Sequence, residues 1–201
     1  AYNKIGEEND RVDDAVSRTW NKFTYLVRGH SYYDLTDSLS IEGGSTLSYT
    51  PEVNGNEDRS LVGVDLTFRH KPLVPGVYQG ATLAGELFTN SERLEQPAGN
   101  FERQIAVGGY GYAQVDFDPG ILGTWSAGFM VDSAPDIASP GKKTTSYSPY
   151  LNWWPSEFNR VRLQYTYGDD EVGEDEGESG SQVFLQWTTI LGSHTHGFRN
   201  R

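Results

Sequence analysis

Cysteine is absent from the 201-residue chain and methionine occurs once. The missing cysteine excludes a disulfide-stapled scaffold; it fits an oxidising compartment, although many cytosolic chains lack cysteine too. No run of about 18 apolar residues occurs, which excludes a transmembrane helix. The opening AYNKIGEEND has no apolar core of the signal-peptide kind, so the signal of an exported chain is expected to lie outside these residues or to have been removed. Basic residues are few and form no run: 16 Lys and Arg stand against 28 Asp and Glu, a net charge of −12. That balance argues against a nucleic-acid partner, because phosphate binding needs clustered cations. G-x-S-x-G, H-E-x-x-H and phosphate-cradling glycine loops are also missing, so no catalytic residue and no cofactor is assigned and no enzyme is expected.

Aromatic residues and glycine are plentiful, with 12 Tyr, 9 Phe, 5 Trp and 23 Gly. Aromatic and β-branched residues suit strands, and glycine suits turns. Helical periodicity is hard to find, whereas period-two alternation recurs about nine times, in runs close to the ~9–11 residues that a tilted strand needs to cross a bilayer. The runs are Arg18–Tyr33, Leu39–Thr50, Leu61–Lys71, Val77–Thr89, Gln104–Phe117, Gly123–Asp132, Lys143–Trp154, Phe158–Tyr167 and Gln182–Leu191. In the third, Val62, Val64, Leu66 and Phe68 oppose Gly63, Asp65, Thr67 and Arg69. In the eighth, Val161, Leu163, Tyr165 and Tyr167 oppose Arg160, Arg162, Gln164 and Thr166. In the last, Val183, Leu185, Trp187, Thr189 and Leu191 form one face.

Alternation alone also fits a soluble β-sandwich such as a lectin. The connections separate the two architectures. Short or moderate links (34–38, 71–76, 118–122 and 154–157) alternate with longer ones (51–60, 90–103, 133–142 and 168–181). Such a rhythm predicts an all-β, antiparallel up-and-down transmembrane β-barrel, with short periplasmic turns, longer extracellular loops and a periplasmic C-terminus. Greek-key crossings of a sandwich would disturb it. Tyr32, Tyr33, Tyr49, Tyr78, Trp125, Trp153, Trp154 and Tyr167 fall near strand ends, as aromatic girdles require. A mean hydropathy of −0.59 is compatible, because only every second strand residue of a barrel meets lipid.

Three segments, VGVDLTFRHKPL, WWPSEFNRVRLQYTYGD and VFLQWTTILGSHTHGF, together resemble the C-terminal half of a bacterial outer-membrane family, whose members are labelled outer-membrane β-barrel proteins, or zinc-regulated or TonB-dependent-receptor-like proteins. The resemblance covers the chain loosely from about Arg18 onwards. It implies a porin-like barrel of a Gram-negative cell envelope, in contact with outer-membrane lipid and lipopolysaccharide, assembled by the barrel-assembly machinery through a C-terminal aromatic, here Phe198. Arg199, Asn200 and Arg201 follow that aromatic, a departure from the family pattern, and residues 199–201 are expected to be a periplasmic tail. Nine strands in residues 18–198 are an odd number, whereas single-chain bacterial barrels have even numbers. The chain is therefore expected to be part of a larger barrel, with residues 1–17 an extracellular loop or N-terminal segment; an eight-stranded barrel starting at Leu39 is the competing count.

Among polar features, GDDEVGEDEGESG holds seven acids between Asp169 and Glu178, but its spacing is not that of a calcium loop, and a solvated surface loop is the expected state. His194 and His196 have no further ligands nearby, so no metal site is assigned. GGYGY at Gly108–Tyr112 reads as glycine in a strand, letting the sheet curve or neighbouring side chains pack. The inward-facing charges are the candidate functional set: Lys22, Arg28, Glu42, Asp65, Arg69, Glu86, Asp116, Arg160 and Arg162. An Arg or Lys on a lipid face costs ~2–4 kcal/mol at midplane, so in a barrel these residues must face the lumen. There they would set ion selectivity, or pair across strands and fill the barrel; Arg160 and Arg162 beside a carboxylate of a neighbouring strand are the first expected pairs. The functions implied are a channel wall for solute passage, or a structural or surface-binding barrel with a filled lumen, alone, as an oligomer or within an envelope assembly.

Overall fold

A computed structural model describes residues 23–51, 58–74, 76–95, 100–120, 123–135, 142–170 and 178–190. Nine strands form one sheet in sequence order: β1 (Tyr25–Thr36), β2 (Leu39–Thr50), β3 (Arg59–His70), β4 (Tyr78–Glu95), β5 (Phe101–Phe117), β6 (Thr124–Pro135), β7 (Lys143–Ser156), β8 (Asn159–Asp170) and β9 (Glu178–Thr189). Every adjacent pair is antiparallel. Among the described residues the sheet is open, with β1 and β9 each hydrogen-bonded on one side only.

The turns are written in short polar side chains. Thr36 Oγ1 accepts from the Leu39 amide at 3.0 Å across the β1–β2 turn. Ser156 Oγ accepts from the Phe158 amide and from Asn159 Nδ2 at 3.3 and 3.1 Å in the β7–β8 turn. Between β5 and β6, Asp118 Oδ1 accepts from the Gly120 amide at 2.8 Å, and Gly120 takes φ +74°, which favours glycine.

The nine expected strands are nine observed ones, with shifted ends. The first run, expected from Arg18, is described only as β1 from Tyr25; residues 1–22 lie outside the described set, as do 191–201 with His194, His196 and the terminal tail, and 171–177 of the acidic segment. Strict alternation of long and short connections does not hold. The β4–β5 connection is only residues 96–100, against 71–77 for β3–β4, because the ladder continues to Glu95↔Phe101. Its outer part is polar on both faces and so reads as loop. Backbone pairing, Arg59–Glu92 and Arg103–Asp58 ion pairs, and an Arg103–Ser91 hydrogen bond hold it in the sheet.

Register assigns each residue to a face. Tracing partners from Val64 gives an apolar face that includes Val27, Ile41, Leu47, Val62, Leu66, Leu83, Leu87, Val107, Phe129, Leu151, Leu163 and Leu185. This face is the exposed one: Leu83 is 58%, Leu87 63% and Val107 62% exposed. The opposite, polar face holds the buried side chains, including Ser126 and Ser148 at 1% and Asn152 at 3%. The described residues form one sheet and no helix, and the polar side chains bury one another through hydrogen bonds across strands.

This register is testable in a chain without cysteine. Val64 and Leu87 are direct partners, whereas Phe88, next to Leu87, lies on the other face. The double variant Val64→Cys/Leu87→Cys is expected to form a disulfide on mild oxidation and Val64→Cys/Phe88→Cys none, read by gel mobility, because paired strand positions meet the Cα separation a disulfide needs.

Candidate functional site on the polar face

Eight of the nine charges expected on one face share the polar one: Arg28 on β1, Glu42 on β2, Asp65 and Arg69 on β3, Glu86 on β4, Asp116 on β5, and Arg160 and Arg162 on β8. Lys22 lies outside the described residues. A slip of one residue in any of the strands from β1 to β8 would have scattered them between faces.

Two kinds of surface result. Across β1–β3 the charges neutralise one another. Arg28 Nη2 donates to both carboxylate oxygens of Asp65 at 3.1 and 2.9 Å, and Arg28 Nη1 to Thr46 at 2.7 Å. Glu42 pairs with Arg69 on one side and with His30 on the other, the latter at 2.8 Å. Glu86 stands opposite Tyr110 in the β4–β5 register.

Across β5–β8 the polar face is mostly neutral and closely hydrogen-bonded. Tyr150 Oη donates to Gln114 Oε1 at 3.0 Å, Gln114 Nε2 to Asp116 at 2.7 Å, and Asn152 Nδ2 to Ser126 Oγ at 2.9 Å. Ser148 and Thr166 share a 2.9 Å bond, and Gln164 donates to Thr166 at the same distance. Here the expected carboxylate partners of Arg160 and Arg162 are corrected. Their register neighbours are Thr188 for Arg160, and Asn152 and Gln186 for Arg162, all uncharged. Arg162 instead places its guanidinium carbon 3.9 Å from the Tyr150 ring centroid, and Arg160 lies 5.4 Å from that of Trp154.

Glycine makes the longer contacts possible. Tyr150 on β7 and Gln114 on β5 are separated by β6, where Gly128 lies between them in register; a Cβ there would collide with Tyr150 Cζ and its Oη. Arg28 and Asp65 meet in the same way across Gly44 of β2, whose Cβ would collide with the Asp65 carboxylate. At Gly108 a Cβ would come within 2.8 Å of the Phe88 ring and of Pro135. The role expected for strand glycine is thus met at Gly108, while the bridging glycines Gly44 and Gly128 carried no sequence signal short of the register.

Aromatic residues divide between the faces. Trp125 stacks on Trp153 with centroids 5.9 Å apart, and Tyr78 stacks on His70 at 5.8 Å; Tyr33 and Trp187 lie at the same end of the apolar face, Tyr25, Tyr49, Tyr147 and Tyr167 at the other. Tyr32 and Trp154, expected in those girdles, instead face the polar side: Tyr32 donates to Asp34 and Trp154 lies under Arg160. Each sits one residue from a girdle aromatic, which in a strand means the opposite face.

At the end of the sheet where the tight turns lie, the polar face opens into a hollow of about 670 Å³, lined among others by Arg69, Thr82, Gln114, Asp116, Thr124 and Trp154. Its volume is that of a small-molecule site. Chemically the described part of the face offers hydrogen-bonding groups and charge.

Gly128→Val is expected to destabilise the chain by about 1–3 kcal/mol through overpacking against Tyr150, and Tyr150→Phe by about 0.5–1.5 kcal/mol through loss of the bond to Gln114. Combined, the two should cost less than their sum in urea unfolding, since the first already displaces the ring. Gly180→Ala, which meets nothing within 4 Å, should stay within about 0.5 kcal/mol of the parent. In comparisons with known proteins, no family model, curated sequence or solved structure matches this chain.

Proposed function

We propose that the chain is a section of the wall of a transmembrane β-barrel in a bacterial outer membrane, its polar face lining a porin-like channel for passive solute passage. One observation carries the reading: the large apolar side chains cover the exposed face, while among the described residues the buried side chains are mainly polar, namely Ser126, Ser148, Asn152 and Glu92. A soluble monomer rarely exposes so broad an apolar field. Lipid removes the conflict, because it is the solvent such a face prefers.

Dimensions and aromatics support it. A strand of 12 residues is about 40 Å long at ~3.3 Å per residue, and a tilt of about 45° gives a rise of about 28 Å, close to the ~30 Å hydrocarbon thickness. Tyr and Trp gather at both ends of the apolar face, where headgroups would lie. The outer-membrane resemblance of WWPSEFNRVRLQYTYGD agrees with it. On this reading lipid and lipopolysaccharide contact the apolar face, the barrel-assembly machinery inserts the chain, the β1–β2 and β7–β8 turns are periplasmic, and strands beyond these nine close the barrel between β1 and β9.

A second reading, a barrel with a filled lumen serving an envelope assembly, is favoured by the hydrogen bonds that polar-face side chains make with one another. Planar-bilayer conductance of the purified protein separates the two: current supports the channel and its absence the filled barrel.

The membrane reading is tested by adjacent tryptophans on opposite faces. In vesicles of brominated lipid, a variant retaining only Trp153 is expected to be strongly quenched and one retaining only Trp154 weakly. Equal quenching of both, or a protein that stays monodisperse without detergent, overturns it. Leu87→Arg should lower the stability of the inserted protein by about 2–4 kcal/mol if Leu87 lies near midplane, measured by urea titration in vesicles.

A further inference from the structure

Arginine on the polar face is elsewhere neutralised from the front. Arg28 faces Asp65, Arg59 faces Glu92, and Arg69 faces Glu42. Arg160 and Arg162 depart from this pattern: among the described residues, neither lies within ion-pair distance of a carboxylate. Along the row Arg162–Asn152–Ser126–Asp116 the acid is three strands away, about 14 Å at ~4.8 Å per strand. Its carboxylate accepts from Gln114.

Both guanidiniums are supported from behind. The Arg162 guanidinium carbon lies 3.9 Å from the Tyr150 ring centroid, with its Nε donating to Gln164 Oε1 at 3.0 Å, and the Arg160 guanidinium carbon lies over the Trp154 ring at 5.4 Å. A guanidinium held over an aromatic ring keeps N–H donors that the ring does not satisfy and that remain for other partners. Arg160 is under-satisfied as well: its Nε is buried without a hydrogen-bond partner, and its Nη2 reaches Thr188 only at 3.4 Å. Arginine cannot relieve this by losing a proton. The side chains stand two residues apart on one strand face, about 6.6 Å at ~3.3 Å per residue, so two like charges stand together, and among the described residues neither is ion-paired.

We propose that Arg160 and Arg162 form a binding ledge for small oxyanions, inorganic phosphate or the carboxylate or phosphate group of an organic solute, held by in-plane N–H donors above Trp154 and Tyr150. The ledge lies beside the hollow that Trp154 also lines, where the rest of such a solute would sit. Although the chain is acidic as a whole, Arg160 and Arg162 set two positive charges side by side near the start of β8, and local charge decides what a lining retains. The proposal deepens the channel reading and rests on the polar face being wetted.

Trp154 beneath Arg160 is a built-in reporter. In a variant retaining only Trp154, with the other four tryptophans changed to phenylalanine, quenching by neutral acrylamide reports whether water reaches the polar face, and quenching by iodide relative to caesium reports the local charge. The expected result is access to acrylamide, a strong preference for iodide, and relief of iodide quenching by inorganic phosphate at constant ionic strength. Arg160→Gln and Arg162→Gln should each lower the iodide-to-caesium ratio severalfold, whereas Arg28→Gln should leave it unchanged. No access to acrylamide overturns the wetted face; access without iodide preference, or preference that neither phosphate nor the two substitutions alter, overturns the ledge alone. Should the single-tryptophan chain fail to fold, the unmodified protein is expected to melt higher in phosphate than in chloride of equal ionic strength, with the difference lost in Arg162→Gln and retained in Arg28→Gln. Equal melting in the two salts overturns the ledge.

Discussion

Every strand residue is committed to one face, and in this sheet all nine strands make that commitment in phase. Once Val62, Val64, Leu66 and Phe68 face one way, the register of each neighbour carries the apolar set around to Val183, Leu185 and Trp187. A slip of one residue anywhere would place a row of apolar side chains among the charges. The polar face, its hydrogen bonds and its two arginine environments all follow from that shared phase.

Cohesion in such a sheet cannot come from a conventional apolar core, since Ala106 and Tyr150 are the buried apolar side chains among the described residues. The backbone ladder supplies most of it. The polar side chains add ties that span three strands: Arg28 to Asp65 over Gly44, and Tyr150 to Gln114 over Gly128. Each tie contributes modestly, about 0.5–1.5 kcal/mol for a neutral hydrogen bond. Their geometric effect is larger, because a side chain that reaches over a glycine pulls the flanking strands towards one another on that face and so favours concavity there. A β-carbon at the crossing point would push them apart.

Strand number and the division of residues between faces were legible in the sequence, since both depend on a period of two that nine segments express locally. Eight candidate charges could be assigned to one face for the same reason. Three features were not legible. The outer parts of β4 and β5 are polar on both faces, so hydropathy assigned them to a loop that the Arg59–Glu92 pair and the continued ladder turn into strand. Tyr32 and Trp154 each adjoin another aromatic, and adjacency near a strand end conceals that neighbours point oppositely. The surroundings of Arg160 and Arg162 depend on which residues of β7 and β9 stand beside them; Asn152, Gln186 and Thr188 become neighbours only through registers fixed by hairpins on both sides.

The same constraint governs what lies beyond the two edges. β1 is exposed along its whole length and β9 along nearly all of its described side chains, and among the described residues each leaves a row of backbone N–H and C=O groups without a strand beside it. Water can satisfy such groups at a modest cost, whereas hydrocarbon cannot, and each would cost several kcal/mol there. Exposure of the apolar face therefore has a corollary for the edges: a sheet that turns its apolar residues towards lipid must have both edges paired before it can reside there. The pairing strand at β9 must set apolar residues beside Val183, Leu185 and Trp187 and polar ones beside Gln182 and Gln186. At β1 it must set apolar residues beside Val27 and Tyr33 and polar ones beside Arg28 and His30. Whatever segment met these conditions would have the alternation that the nine strands already share, so closure into a barrel would extend the phase set within the sheet.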